Sequence, residues 1–481
     1  MIYRYATRPL AHQRLAFHRY RDVPAFALNA EQGTGKTKIV IDKAAWLWRK
    51  GELDLVVVFS NKGSYLNWES DELPKHMPIP YKVYIWDRGL VEGVHVTTSN
   101  LAVLLVNIEA LSQDRKRNLE KLIAGYLRAC RALIVVDEAS SIKSHRARCS
   151  TAVYRLGKLA VHRVTMTGTP ITKSPLDLFG QYRFLDPTLL GTKYEKFKKR
   201  YAVLQRKKIW RTGKFYDKII GYQRQEELFR IIRPITFRVT KDECLDLPDK
   251  IYERRMFHLS DAQQSLYNQM KRRGMAKYKG RLASCTNAMT KLLRLHQIAL
   301  GYFVDDDGDL FTIPNERLRI LSDIIDTVES EKIIIWCPYI DQALRPVAQS
   351  LRMRYSGQGV IDYHGETTDR GKKIAAFRKD PSCRFLVANQ SVGGYSLTLT
   401  ECDTSIYYTN TYNLVHRLQS EDRTHRIGQT RHAMYLDIVA KGTVEVKVLR
   451  ALRNKIDLAQ TVLNDDQSFE HWLNEPDDDD G

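Results

Sequence analysis

The chain is 481 residues long, 43% hydrophobic and 27% charged, a composition ordinary for a globular protein of two to four domains. Its 76 Lys and Arg outnumber 56 Asp and Glu, and the formal charge of +20 suits a polyanionic partner such as nucleic acid, plain solubility being the alternative. Seven scattered cysteines without zinc or CxxC spacing, no apolar leader and no run of about 18 apolar residues argue against a disulfide framework, a structural zinc, a signal peptide and a membrane span.

In chain order, the first half alternates short apolar runs with helical patterns. FALNA (26–30), DLVVVFS (54–60), VLLVN (103–107), ALIVVDE (132–138) and HRVTMTGT (162–169) read as buried parallel strands. TKIVIDKAAWLWRKG (37–51) reads as a helix that stops at Gly51. This rhythm predicts a doubly wound α/β sheet.

AEQGTGKT (30–37) lies between the first strand and the first helix. Gly33 and Gly35 let backbone N–H groups turn inward around phosphate oxygens, with Thr34 between them. Lys36 is the candidate to neutralise the β/γ-phosphates, and Thr37 offers its hydroxyl to Mg2+. The usual pattern begins with Gly, and Ala30 stands there instead. In LIVVDEAS (133–140), Asp137 ends an apolar strand and is the candidate for holding the metal. Glu138 is then the candidate to deprotonate the attacking water.

The segment from Gly191 to Lys241 carries 16 Lys and Arg against 4 acids, interleaved with Tyr194, Phe197, Tyr201, Trp210, Phe215, Tyr216 and Tyr222. From Lys271 to Arg294 there are eight Lys and Arg and no acid. The spacing suggests helices, with FRVTKDECLDLP (237–248) crossing between lobes. Basic and aromatic residues together suit a nucleic-acid contact, against helices with solvated faces and an aromatic core.

The strand rhythm returns in KIIIWCPY (332–339), GVIDYHG (359–365), RFLVANQ (384–390), TSIYYTN (404–410) and MYLDIVA (434–440). QSEDRTHRIGQT (419–430) then places Arg423 and Arg426 three apart, one face of a helix, so that both can reach one anion. A surface salt-bridged helix is the alternative. From Asp465 to Gly481 there are eight acids and no Lys or Arg, a solvated tail that leaves a body of about +28.

These motifs, in this order, resemble the Swi/Snf-type ATPases of helicase superfamily two, over nearly the whole chain. LAHQ (10–13), NKGSYLNWESDEL (61–73), VNIEALS (106–112) and TGTPITKSPLDLFGQYRFLDP (167–187) match in the first half. YHGETTDRGKKIAAF (363–377), SVGGYSLTLTECDTSIYYTN (391–410) and the ending RIGQT match in the second. The family usually has His where Ser140 stands, and TYNLVHRLQ replaces a tryptophan-containing version, closer to compact bacterial or viral members.

The resemblance implies two tandem RecA-like lobes with helical insertions between them: 1–190 for ATP, 191–314 for basic protrusions and linker, 315–460 for the arginine finger, and an acidic tail over 461–481. It assigns Gln13 to adenine and Gln419 to the nucleotide set, beside Gly33, Thr34, Gly35, Lys36 and Thr37. It implies ATP and Mg2+ as cofactors and Arg423 and Arg426 as residues that complete the site on lobe closure. It implies translocation on double-stranded DNA across the face opposite the ATP cleft, through Ser60, Asn61, Lys62, Thr167, Thr169, Ser391, Gly393 and Thr398. Forked or branched DNA, annealing, a scaffold with weak ATPase and an RNA helicase are the alternative readings. A monomer in a bacterial or phage-infected cytoplasm is expected, or in a nucleus for a eukaryotic chain.

Overall fold

Runs of branched apolar residues become strands buried on both faces, and two parallel sheets result. The structure, a computed structural model, describes residues 3–86, 93–172, 174–208, 215–393, 397–454 and 472–474. Trp210 and all of the acidic tail except 472–474 lie outside the described residues. The chain divides into two units, Met1–Asp246 and Leu247–Gly481. Residues 191–246 thus gather with the first unit and 247–314 with the second.

The first unit contains β1 (Ala25–Ala30), β2 (Leu55–Ser60), β3 (Tyr81–Trp86), β4 (Leu101–Asn107), β5 (Ala132–Asp137), β6 (His162–Met166), β7 (Ala202–Lys208), β8 (Phe215–Tyr222) and β9 (Thr236–Val239). Seven of them form one sheet in the order β3-β4-β2-β5-β6-β1-β9. Every pairing in it is parallel. Side chains alternate between two cores: Val57, Phe59, Ile134 and Val136 enter one, and Val56, Val58, Leu133 and Val135 the other.

The boundary between the units falls inside the expected crossover, whose residues form most of β9, paired with β1, and the short helix Lys241–Cys244. Part of the expected helical insertion is the antiparallel hairpin β7–β8, with helices Tyr194–Tyr201 and Gln225–Ile232 on either side.

The second unit contains β10 (Lys250–Phe257), β11 (Met275–Tyr278), β12 (Arg281–Ser284), β13 (Tyr302–Val304), β14 (Leu310–Thr312), β15 (Ile333–Trp336), β16 (Gly359–Tyr363), β17 (Cys383–Ala388), β18 (Thr404–Tyr407) and β19 (Ala433–Ala440). Six of them form a parallel sheet in the order β10-β19-β18-β15-β17-β16. β11–β12 and β13–β14 are small hairpins among the expected helices. Ile333 and Ile335 face one core, Ile334 and Trp336 the other. No helix among the described residues is long and apolar enough to cross a membrane.

Candidate nucleotide site and nucleic-acid contacts

In a parallel sheet the strands share one carboxyl edge, and ligands bind there. Four consecutive strands of the first unit, β2, β5, β6 and β1, end in the sequence-predicted residues. Ser60 and Asn61 follow β2, Asp137 and Glu138 close β5, Thr167 to Thr169 follow β6, and the phosphate loop follows β1. Within this unit the residues expected at the nucleotide and those expected at DNA leave the same edge of the sheet.

The phosphate loop is a backbone construction. Gly33 and Gly35 sit at φ 80° and 76°, the left-handed region where a side chain is strained. Gly35 is the N-cap residue of the helix Lys36–Arg49, and as glycine it brings no side-chain cap of its own. A long helix starting there directs several donors and its positive end at whatever enters. Lys36 Nζ donates to the Glu31 carbonyl at 3.1 Å, so the cation is folded over the loop.

Thr34 is almost wholly buried and its Oγ1 donates to Glu31 O at 2.7 Å. Its side chain shapes the loop from within. The Thr34 carbonyl accepts His12 Nε2 at 2.8 Å and Gln13 Nε2 at 3.2 Å. Gln13 Nε2 also reaches Gly35 O at 3.4 Å, and its Oε1 accepts Leu10 N at 2.9 Å. Gln13 therefore braces the loop against the start of the helix Ala11–Tyr20. Because a carbonyl only accepts, His12 carries its proton on Nε2. Burial lowers the His12 pKa, and the bond to Thr34 opposes that only in part.

Two residues whose roles sequence reasoning missed hold the acidic pair and the loop. Trp68 is buried, and its indole Nε1 donates to Asp137 Oδ2 at 3.0 Å. The Glu138 N–H donates to Asp137 Oδ1 at 3.0 Å, so both carboxylate oxygens are oriented. The signal available for Trp68 was the Asn67-Trp68 pair of the family motif. Gly168 is the second: a Cβ there would lie 2.7 Å from Gln32 Cγ and 2.9 Å from Gln32 N. Only glycine lets the segment after β6 lie against the phosphate loop.

Glu138 adopts φ 53°, ψ 60°, a left-handed conformation costly for a non-glycine residue. Gln32 Nε2 donates to its Oε1 at 3.4 Å, linking it to the loop. Strain of this kind persists where the surroundings enforce it, commonly at reacting groups.

Of the expected DNA contacts, Ser60 is buried and donates to Asn61 O at 3.4 Å. Thr167 is also buried and accepts the Thr169 N–H at 3.1 Å, rigidifying the turn. Asn61 precedes the helix Lys62–Asn67, which Lys62 opens. In the second unit, Ser391 N and Oγ donate to Asn389 Oδ1 at 2.9 and 2.5 Å. Gly393 closes the short helix Gln390–Gly393, and Thr398 is half-buried.

The arginine pair corrects one expectation. The helix Leu414–Glu421 ends before both residues, which lie in successive turns. The Glu421 carbonyl accepts the Tyr435 hydroxyl at 2.9 Å and Thr424 Oγ1 at 3.2 Å, capturing the helix end. The two guanidinium groups nevertheless converge: Arg423 Nη1 and Arg426 Nη1 each donate to Leu397 O at 3.2 Å. Arg423 Nε is anchored to the carbonyl of Gln419, itself buried on that helix, at 2.9 Å.

The helix Leu414–Glu421 also carries part of a buried charge network. Arg417 stacks 3.5 Å from the Tyr407 ring centroid and bonds Glu421, Asn410 and Asp437. Burial alone would raise the Glu421 carboxyl, but Arg417, Lys250 and the Tyr252 hydroxyl outweigh it and hold it down at about 2.

Comparison with known proteins shows the family. A model of the SNF2-related domain matches residues 18–300, and a model of the helicase conserved C-terminal domain matches 316–428. TATA-binding protein-associated factor MOT1 of Saccharomyces cerevisiae is 27% identical over 388 residues, 69% of this chain and 20% of that protein. The uncharacterized ATP-dependent helicase MG018 of Mycoplasma genitalium is 26% identical over 449 residues, 91% of this chain and 40% of that protein. The chain thus spans about a fifth of the length of MOT1 and two fifths of that of the helicase. A solved Sulfolobus solfataricus SWI2/SNF2 ATPase core in complex with dsDNA is 23% identical over 98% of each chain, with a TM-score of 0.42. With a family model covering more than half of its length, the chain belongs to the SNF2-related family of helicase-like ATPases.

Proposed function

We propose that the chain is an ATP-driven translocase on double-stranded DNA that uses Mg2+ and acts as a monomer. The observation that carries this reading is the shared edge of β2, β5, β6 and β1. It brings phosphate-binding backbone, an oriented acidic pair and candidate backbone contacts to DNA onto four adjacent strands. Binding chiefly to phosphates carries little sequence preference and strong salt dependence.

The residues fit the cofactors. Two left-handed glycines, the second of them at the N-cap of a long helix, suit a triphosphate. One hydroxyl, Thr37, and one carboxylate, Asp137, suit Mg2+, which keeps waters and takes its other ligands from phosphates. When bound, the ion neutralises phosphate charge. Lys36 leaves a neutral carbonyl for a phosphate, the stronger acceptor. Glu138 takes the proton of the attacking water, and Arg423 and Arg426 stabilise charge on the transferred phosphoryl group. Such a motor works wherever DNA is kept: the cytoplasm of a bacterial or phage-infected cell, or a nucleus.

The test is the ATPase rate without polymer and with duplex DNA, single-stranded DNA or RNA, followed by triplex displacement on duplex DNA. Duplex stimulation with displacement is expected. Stimulation by RNA alone would overturn the reading, and no hydrolysis under any condition would leave a nucleic-acid-binding scaffold.

A further inference from the structure

The hairpin β7–β8 belongs to neither the phosphate loop nor the acidic pair, and its surface is unusual. Its base is anchored, because Leu204 and Ile219 oppose each other and pack on the core of the first unit. Beyond that pair the strands leave the core, and Gln205 to Lys208 and Phe215 to Lys218 are all exposed. Yet Phe215, Tyr216 and Ile220 are 56%, 46% and 57% exposed. Large apolar side chains gathered on a solvated two-stranded ribbon, itself marginal in water, mark a contact surface.

The register says what that surface fits. Tyr216 lies opposite Lys207 and Phe215 opposite Lys208. Arg206 sits 4.6 Å from the Phe215 ring centroid. Successive residues point to opposite faces, so each face carries one aromatic ring beside cations. Against Arg206, Lys207, Lys208 and Lys218 there is one acid, Asp217. Cations beside exposed rings match phosphates beside base faces. A closed duplex offers the phosphates but keeps its base faces stacked inside.

We propose that β7–β8 is a stacking platform for unpaired DNA bases, so that the substrate includes a single-stranded segment at a fork, gap or branch. This rests on the reading of the chain as a DNA motor and specifies its substrate class.

The experiment measures affinity by fluorescence anisotropy for a blunt duplex, a fork with single-stranded arms and a single strand. It uses the wild type, Phe215→Ala, Tyr216→Ala and Lys207→Ala/Lys208→Ala. The altered side chains are exposed, so the fold is retained. The wild type is expected to prefer the fork. Each aromatic variant weakens fork and single-strand binding about tenfold while holding duplex affinity within about twofold. The lysine variant weakens all three and flattens the salt dependence. DNA-free ATPase stays unchanged throughout. Aromatic variants that weaken duplex and fork equally would overturn the proposal. So would variants that change neither, which would leave the ribbon as a protein-docking surface. A wild type that binds none of the three DNAs would defeat the motor reading and this inference together; intact duplex binding with silent aromatic variants would defeat this inference alone.

Discussion

The two units place charge differently. In the first, the phosphate loop is made of backbone, with glycines at φ 80° and 76° and the second of them at the N-cap of a helix. In the second, Arg417, Glu421 and Asp437 compensate one another inside the protein, as do Arg317 and Glu445. One unit shapes its loop with backbone, and the other pairs its buried charges internally. The arginine pair itself is held by backbone carbonyls, those of Gln419 and Leu397.

The sharpest way to break this contrast is Lys36→Ala. It should remove turnover, a loss of about 10³-fold or more, with DNA affinity within about twofold. Equal loss of both would mean that the shared sheet edge is one undivided site. Arg426→Ala should lower kcat by about 10³-fold at nearly unchanged ATP affinity. A kcat near wild type would show that its convergence with Arg423 on Leu397 is structural only.

Arg417→Leu tests the internal charges. Asp437 and Glu421 would lose their shared buried cation, and denaturant unfolding should show a loss of about 3 kcal/mol. A cost below about 1 kcal/mol would make the network dispensable.

The same network predicts an acid limit. Burial alone would raise both carboxyls, but Arg417 and Lys250 hold Glu421, and Arg317 with His296 holds Glu445, at about 2 against an ordinary 4.5. A folded-state pKa below the unfolded one adds stability above the ordinary value and loses it as pH falls through the folded value. Thermal melting of the intact chain should therefore weaken progressively from about pH 4.5 toward pH 2. A midpoint flat across that window would contradict the compensation described.

The smallest effect concerns Trp68. Trp68→Phe keeps the ring and removes the donor to Asp137, so the Mg2+ needed for half-maximal ATPase should rise about tenfold, with DNA affinity unchanged. An unchanged Mg2+ requirement would make the tryptophan a packing residue.

Much of this was legible in the residue order. Apolar runs marked the interior strands because a parallel strand covered on both faces must be apolar throughout. AEQGTGKT announced a phosphate loop because its glycines are needed by the backbone whatever surrounds them. The hairpin escaped because its residues past Leu204 and Ile219 face water on both sides, which erases the period that burial imposes.

Sequence by itself determined the strands, the loop and the acidic pair, since each is a local demand of backbone geometry or burial. Tertiary structure decided which strands became neighbours. It alone brought Trp68 to an aspartate 69 residues away and turned two arginines beyond a helix end toward one carbonyl. Such contacts depend on strand order and on what captures a chain end, and neither is written in the spacing of nearby residues.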